Sequence, residues 1–223
     1  MKSKTIKKDE NNNNNDILAK FNNKYNTEIN SNTFILDISQ KDLDNEGLLL
    51  LSEVPLNLFD NVIELNLSQN CISDISPLII MNLTNLKNIN ISKNRIENID
   101  AFEKLNLYVL ETLDLSYNKL KNINSLAKIN FANLITLNLG NNRINDINAL
   151  EFMNCPNLRS IDLFNNEILD ISVFERINFP QLIQISFAGN YFNHEIIKNH
   201  DIISNLRKKG CNVNIYGTIK QIL

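Results

Sequence analysis

Apolar residues return along this chain with a period of 24. Leu65, Ile89, Leu113, Leu137, Ile161 and Ile185 are each 24 residues apart, and Leu67, Ile91, Leu115, Leu139, Leu163 and Phe187 follow two positions later. With units numbered from Val62, Leu86, Leu110, Leu134 and Leu158, apolar residues recur at positions 1, 4, 6, 11, 14, 17, 20 and 22. Positions 4 and 6 alternate with polar neighbours, which predicts a half-buried strand in every unit. A unit of this kind cannot bury its apolar face alone. Repetition therefore predicts stacked coils whose strands form one parallel sheet, apolar inward and polar outward.

Position 9 is asparagine throughout: Asn70, Asn94, Asn118, Asn142, Asn166 and Asn190. It falls where the chain leaves the strand and its backbone groups turn inward. An amide side chain carries both donors and an acceptor, so the column predicts a ladder that satisfies backbone groups on adjacent coils. Position 15 is Ser76, Asp100, Asn124, Asn148 and Ser172, all N-cap residue types, with Pro77 next in the first unit. Glu103, Glu151 and Glu175 stand three residues later, at capping-box spacing. The expectation is a short helix of about one and a half turns on the far side of each coil.

The regular repeats span 62–192. Before them, 16–61 reads as an N-terminal cap with a degenerate first repeat. Asp16 precedes a helix with Ile17, Leu18, Phe21 and Tyr25 on one face. Phe34 to Leu43 is a degraded copy of the unit in which Lys41 takes the asparagine place, and Leu48 to Leu51 supply the buried side of a returning helix. After Asn190 the pattern stops, and 193–223 reads as a C-terminal cap. Asn193 starts a helix running to about Lys209 with Ile196, Ile197, Ile203 and Leu206 inward, Gly210 stops it, and Val213 and Ile215 form a last strand. Residues 1–15, lysine-rich and then polyasparagine, hold nothing apolar to offset the entropy of ordering, so a disordered tail is expected.

Composition narrows the function. At 223 residues and 43% hydrophobic, the chain suits one elongated domain, and a net charge of −3 exerts no general pull on nucleic acid or anionic lipid. Cys71, Cys155 and Cys211 are odd in number and lack metal-ligand spacing, which points to a reducing compartment. No apolar run approaches the roughly 18 residues of a membrane span, and the first residues lack the apolar core of a secretory signal. The expected protein is a monomer inside the cell, cytoplasmic or nuclear, with no membrane association. His194-Glu195-Ile196-Ile197-Lys198 begins like a zinc-protease helix but carries lysine where the second ligand must stand, and His200 lies off that helical face. Ser68, Ser92 and Ser116 recur without a base beside them, and the glycines are too scattered for a phosphate loop. No cofactor, metal or catalytic group is expected.

The segment Leu110-Glu111-Thr112-Leu113-Asp114-Leu115-Ser116-Tyr117-Asn118-Lys119-Leu120 has the pattern LxxLxLxxNxL. It resembles the leucine-rich repeat family, and the resemblance extends over about residues 33 to 192. Unit tails such as Asn142-Arg143-Ile144-Asn145-Asp146-Ile147-Asn148-Ala149-Leu150 resemble the subfamily containing the nuclear regulatory subunit of type-1 protein phosphatase, and internalin-type bacterial repeats share them. The resemblance implies an α/β leucine-rich-repeat solenoid. That architecture is a curved horseshoe with a parallel concave sheet used for protein binding, short convex helices and helical end caps.

On the concave face the outward positions are 3, 5, 7 and 8. Candidate partner-binding residues are Glu64, Asn66, Asn90, Asp114, Asn138 and Asp162 on a polar, faintly acidic floor, with Tyr117 and Phe164 as aromatic interruptions. These two aromatics either anchor an interface or merely cover neighbouring side chains. Lys93, Arg95, Lys119 and Arg143 make a basic row beside Tyr117, which is either ordinary solvated surface or a meeting place for an acidic segment or phosphates. The leading expectation is thus a non-enzymatic scaffold binding a protein partner. The alternatives are a ribonucleoprotein component contacting RNA through the basic row, or a phosphatase regulatory subunit.

Overall fold

The computed structural model describes residues 16–192 and 197–216. The expected tail over 1–15, the proposed cap residues Asn193 and Ile196, and His194 lie outside them. Helix α1 covers residues 16–25, followed by β1 (Ile35–Asp37) and α2 (Asn45–Ser52). The repeats contribute β2 (Glu64–Asn66), β3 (Asn88–Asn90), β4 (Thr112–Asp114), β5 (Thr136–Asn138), β6 (Ser160–Asp162) and β7 (Gln184–Ser186). Helix α3 (Ile197–Lys208) and β8 (Asn212–Asn214) close the far end. All eight strands form one parallel sheet in chain order. Its register follows the 24-residue step, as in Leu65 opposite Ile89 and Leu113 opposite Leu137.

Positions 4 and 6 of every coil are buried in one continuous core that runs the length of the stack. Leu36, Ile38 and Leu43 bring the degraded first copy into the same core. In α1, Phe21 and Tyr25 are buried with their rings tilted against each other at 4.7 Å, closing the N-terminal end. Asp44 caps α2 by accepting from the Gly47 amide at 2.8 Å. Leu48 and Leu51 of α2 are buried but Leu49 is exposed, because a helical period near 3.6 turns it to the opposite side of the inward stripe. In α3, Ile202 joins the expected Ile203 and Leu206 in the core. Gly210 ends that helix at φ +88, with the Cys211 amide donating to Leu206 O at 3.0 Å.

The asparagine ladder forms as the column at position 9 predicts. Asn118 donates from Nδ2 to Ile91 O at 3.0 Å and Leu115 O at 3.1 Å, and its Oδ1 accepts from the Ile96 amide at 3.0 Å. Asn94, Asn142, Asn166 and Asn190 repeat this pattern one coil apart. At the N-terminal end Asn70 spans to the degraded repeat, accepting from the Leu43 and Lys41 amides. A second asparagine series, at position 24, was not foreseen. Asn61, Asn85, Asn133 and Asn157 each donate to a carbonyl of the preceding coil, at 3.0, 2.7, 2.8 and 2.7 Å.

The expected short helices are present on the far side of the coils, but their capping differs from expectation. These segments, including Ser76–Ile80, Asp100–Lys104, Asn124–Lys128, Asn148–Phe152 and Ser172–Glu175, are 3₁₀ helices of four or five residues. The inward apolar residues there are spaced by three, as in Ile75 and Leu78 or Ile99 and Phe102. A helix of about three residues per turn places such a pair on one side. The position-15 residues do not cap these turns, since they are already the first helical residues and no side-chain cap bond forms. Position 13 does the work instead. Asp74, Asn98, Asn122, Asp146 and Asp170 each accept from the amide two residues on, as in Ser172 N to Asp170 Oδ1 at 2.7 Å.

The capping-box glutamates are used between coils, where Glu103 pairs with Lys128 at 2.8 Å and Glu151 with Arg176 at 2.7 Å.

These turns give the fold an acid-sensitive element. The Ser172 amide, against the opposing effect of burial, holds the Asp170 carboxyl below its ordinary value, and the Ser125 hydroxyl and Asn98 hold Asp100 low. Folded values below unfolded ones mean that this stabilisation is present above about pH 4 and is lost as pH falls through the folded values. Asp170→Asn keeps an acceptor oxygen for Ser172 but removes the titration. Its melting temperature is expected to fall less steeply than the parent's between pH 5 and pH 3, values of roughly the range where carboxylates titrate.

Candidate functional site

Five of the eight candidate residues have a backbone task that the sequence reading missed. At position 5, Asn66, Asn90, Asp114, Asn138 and Asp162 accept through Oδ1 from the amide two residues on, at 2.8 to 3.1 Å. Asp37 and Asn214 do the same in the terminal strands. Each therefore ends its strand with one side-chain atom and offers the other to the open face. At Asp37 burial raises the carboxyl's pKa, but the bonds from Ser39 and Asn66 outweigh it and hold the group below its ordinary value.

Positions 7 and 8 do not both face outward. Ser68, Ser92, Ser116 and Ala188 at position 7 are buried beneath the turn. A methyl group at Gly140, in the same column, would come within 3.3 Å of Asn138 Oδ1 and Asp162 Oδ2. Phe164 occupies this small-residue column, and its side chain stays 40% exposed. At position 8 the backbone is left-handed in every coil, from Gln69 (φ 57) through Lys93, Tyr117, Asn141 and Asn165 to Gly189 (φ 74). The conformation is thus a property of the repeat and not a mark of function at Tyr117, whose amide is held by Gly140 O at 2.9 Å.

The open face gathers some candidates and separates others. Asn138, Asp162 and Phe164 line a shallow cavity of about 410 Å³ with Thr136, Ser160, Gln184, Ser186, Asn212 and Asn214. Asn212 and Asn214 were readable, because the alternation of Val213 and Ile215 places them at positions 3 and 5. Glu64, Asn66, Asn90 and Asp114 lie on the same face toward the N-terminal end and do not line the cavity. Glu64 accepts from Asn88 Nδ2 at 3.2 Å. Tyr117, half exposed, does not line the cavity either and has the Lys93 ammonium 5.7 Å from its ring centroid. The basic row is partly neutralised, since Lys119 pairs with Glu97 at 3.6 Å.

Reactive chemistry finds little support in these surroundings. Burial pushes the Cys155 thiol up to about 12 and raises that of Cys211 as well, so neither supplies a thiolate near neutral pH. Among the described residues no group of three or more His, Cys, Asp or Glu side chains could hold a metal ion. Among the same residues no helix is long and apolar enough to cross a membrane.

Coils stacked at a 24-residue step, a parallel sheet in chain order and an internal asparagine ladder define a leucine-rich-repeat solenoid. Profiles of that family match the chain, one described as leucine rich repeat over residues 109–168 and one as leucine rich repeats (2 copies) over residues 60–104. The chain carries leucine-rich repeats over these residues. Two similar solved structures are internalins of Listeria monocytogenes. Internalin inlF is 24% identical with a TM-score of 0.54, over 85% of this chain and 56% of that one. Internalin C2 (inlC2) is 26% identical with a TM-score of 0.52, over 82% of this chain and 79% of that one. No curated protein matches the sequence significantly. The internalin part of the sequence resemblance is thereby supported, and the phosphatase-subunit part is not confirmed. Leucine-rich repeats typically mediate protein–protein contacts.

Proposed function

We propose that this protein is a non-enzymatic scaffold that binds a protein partner on the concave face of its sheet. The observation that carries the reading is the face itself. Apart from the exposed Ile35 in β1, its strands present polar side chains that remain partly exposed, and one end holds a shallow cavity with the exposed ring of Phe164 at its edge. Rigid stacked strands hold such side chains in fixed register, which lowers the entropic cost of binding an extended surface. Glu64, Asn66, Asn90, Asp114, Tyr117, Asn138, Asp162 and Phe164 are the proposed contacts. A buried Cys155 and an unpaired Cys71 support a reducing, intracellular setting. The RNA alternative gains no specific observation, because Lys119 and Lys93 already have partners within the protein.

A photo-crosslinking residue placed at Tyr117 or Phe164 is expected to capture a discrete protein partner, and one placed at Ile80 or Phe152 on the opposite side is not. Equal capture from both sides would remove the concave face from the assignment.

A further inference from the structure

We propose that the open face receives a cationic, extended protein segment with two arginines three residues apart, one seated at Asp162 and Phe164 and the other at Asp114. This inference rests on the concave-face reading above and specifies the chemistry of its partner.

The charge distribution carries the argument. Positions 3 and 5 of the eight strands hold Asp37, Glu64, Asp114 and Asp162 and no lysine or arginine. Elsewhere the molecule pairs its charges between neighbouring coils, in Lys87 with Glu111, Lys119 with Glu97, Lys128 with Glu103 and Arg176 with Glu151. Among the described residues none of the four open-face carboxylates joins an ion pair. Asp114 and Asp162 each bind an amide through Oδ1, at 2.9 and 2.8 Å, which leaves Oδ2 for a ligand. The absence of a side chain at Gly140 keeps the space beside Asp162 Oδ2 clear.

Phe164 makes the Asp162 position selective. A guanidinium can stack on an aromatic ring while its N–H groups meet a carboxylate, and the amide oxygen of Gln184 can accept what remains. The ring of Tyr117 already faces the protein's own Lys93, so Phe164 is the aromatic left for a ligand cation. Spacing sets the partner's conformation. Asp114 and Asp162 are two strands apart, a separation of about 10 Å at roughly 4.8 Å per strand. In a polyproline-type segment, residues i and i+3 lie on the same side about 9.3 Å apart.

The probe is a fluorescein-labelled proline-rich peptide with two arginines three residues apart, titrated against the full chain by fluorescence anisotropy at low salt. Asp162→Asn and Asp114→Asn, which retain the acceptor for the turn, are each expected to weaken binding about tenfold, the loss of one charge-assisted contact. Glu103→Gln on the opposite side should leave it unchanged, and a glutamate version of the peptide should not bind. Equal affinity for parent and both aspartate variants would overturn the proposal. So would a gain of about tenfold on replacing Lys2, Lys4, Lys7 and Lys8 by glutamine, since the chain's own lysine-rich segment would then be the occupant. An unbiased peptide library separates this inference from its premise. Uncharged ligands lost in Tyr117→Ala/Phe164→Ala would refute the cationic partner and keep the concave site, whereas ligands indifferent to every open-face change would remove both.

Discussion

Replacing Asn118 by leucine will lower the melting temperature by roughly 6 to 12 °C, for a loss of about 3 kcal/mol at roughly 2–4 °C per kcal/mol. Leucine shares the branched shape of asparagine, with bulkier termini, but brings no polar atom to a buried site. The Ile96 amide then loses its acceptor and stays buried without a partner. The carbonyls of Ile91, Leu115 and Ser116 keep Asn94, Asn142 and the Lys93 amide respectively, so the damage is graded: one orphaned donor and three weakened acceptors. Because Asn118 ties its own coil to the preceding one, the stack should also lose cooperativity at its centre, seen as a broader thermal transition. An unchanged melting temperature would mean that the ladder does not stabilise the coils.

Phe187→Ala will cost about 3 to 5 kcal/mol, and the damage will be concentrated at the C-terminal end. Phe187 is fully buried and meets Phe174 and Phe192 edge to face at 4.9 and 5.6 Å. Phe174 in turn lines the same crevice as Ile202 and Leu206 of α3, so the three rings join the last coils to the capping helix. Each coil contacts mainly its neighbours, and loss of this cluster should release α3 and β8 before the strands further back. Hydrogen exchange checks the order: amides around Val213 should lose protection while those of β3 and β4 retain it. Uniform loss along the whole sheet would show instead that the stack melts as one unit.

The position-5 residues shape how the binding site must be tested. Truncating Asp162 or Asn138 to alanine removes a strand-ending acceptor along with any partner contact, so lost binding would mix two causes. Substitutions between aspartate and asparagine separate them, because either residue can accept from the amide two positions on.

Much of the fold was legible because stacking repeats the same physical problem in every coil. Apolar residues at positions 4 and 6 had to face the core, and Asn118 with its equivalents had to satisfy backbone that no water reaches. These are local requirements, so the chain states them residue by residue. The short helices were legible, and the spacing of three between Ile75 and Leu78 and their counterparts suits a 3₁₀ winding, but the N-cap residue types at position 15 pointed to the wrong capping residue. Which side chain meets a given N–H depends on how tightly the return segment is wound. That winding is set by the distance between buried anchors across coils, and this is why Asp170 rather than Ser172 caps and Glu151 reaches Arg176. The site divides the same way. Its polar floor follows from alternation along each strand, whereas the grouping of Asn138, Asp162 and Phe164 with Asn214 around one cavity depends on lateral neighbours up to 76 residues apart in sequence. Periodicity along a chain specifies which faces are buried, and only the packing of one coil against the next brings particular side chains together.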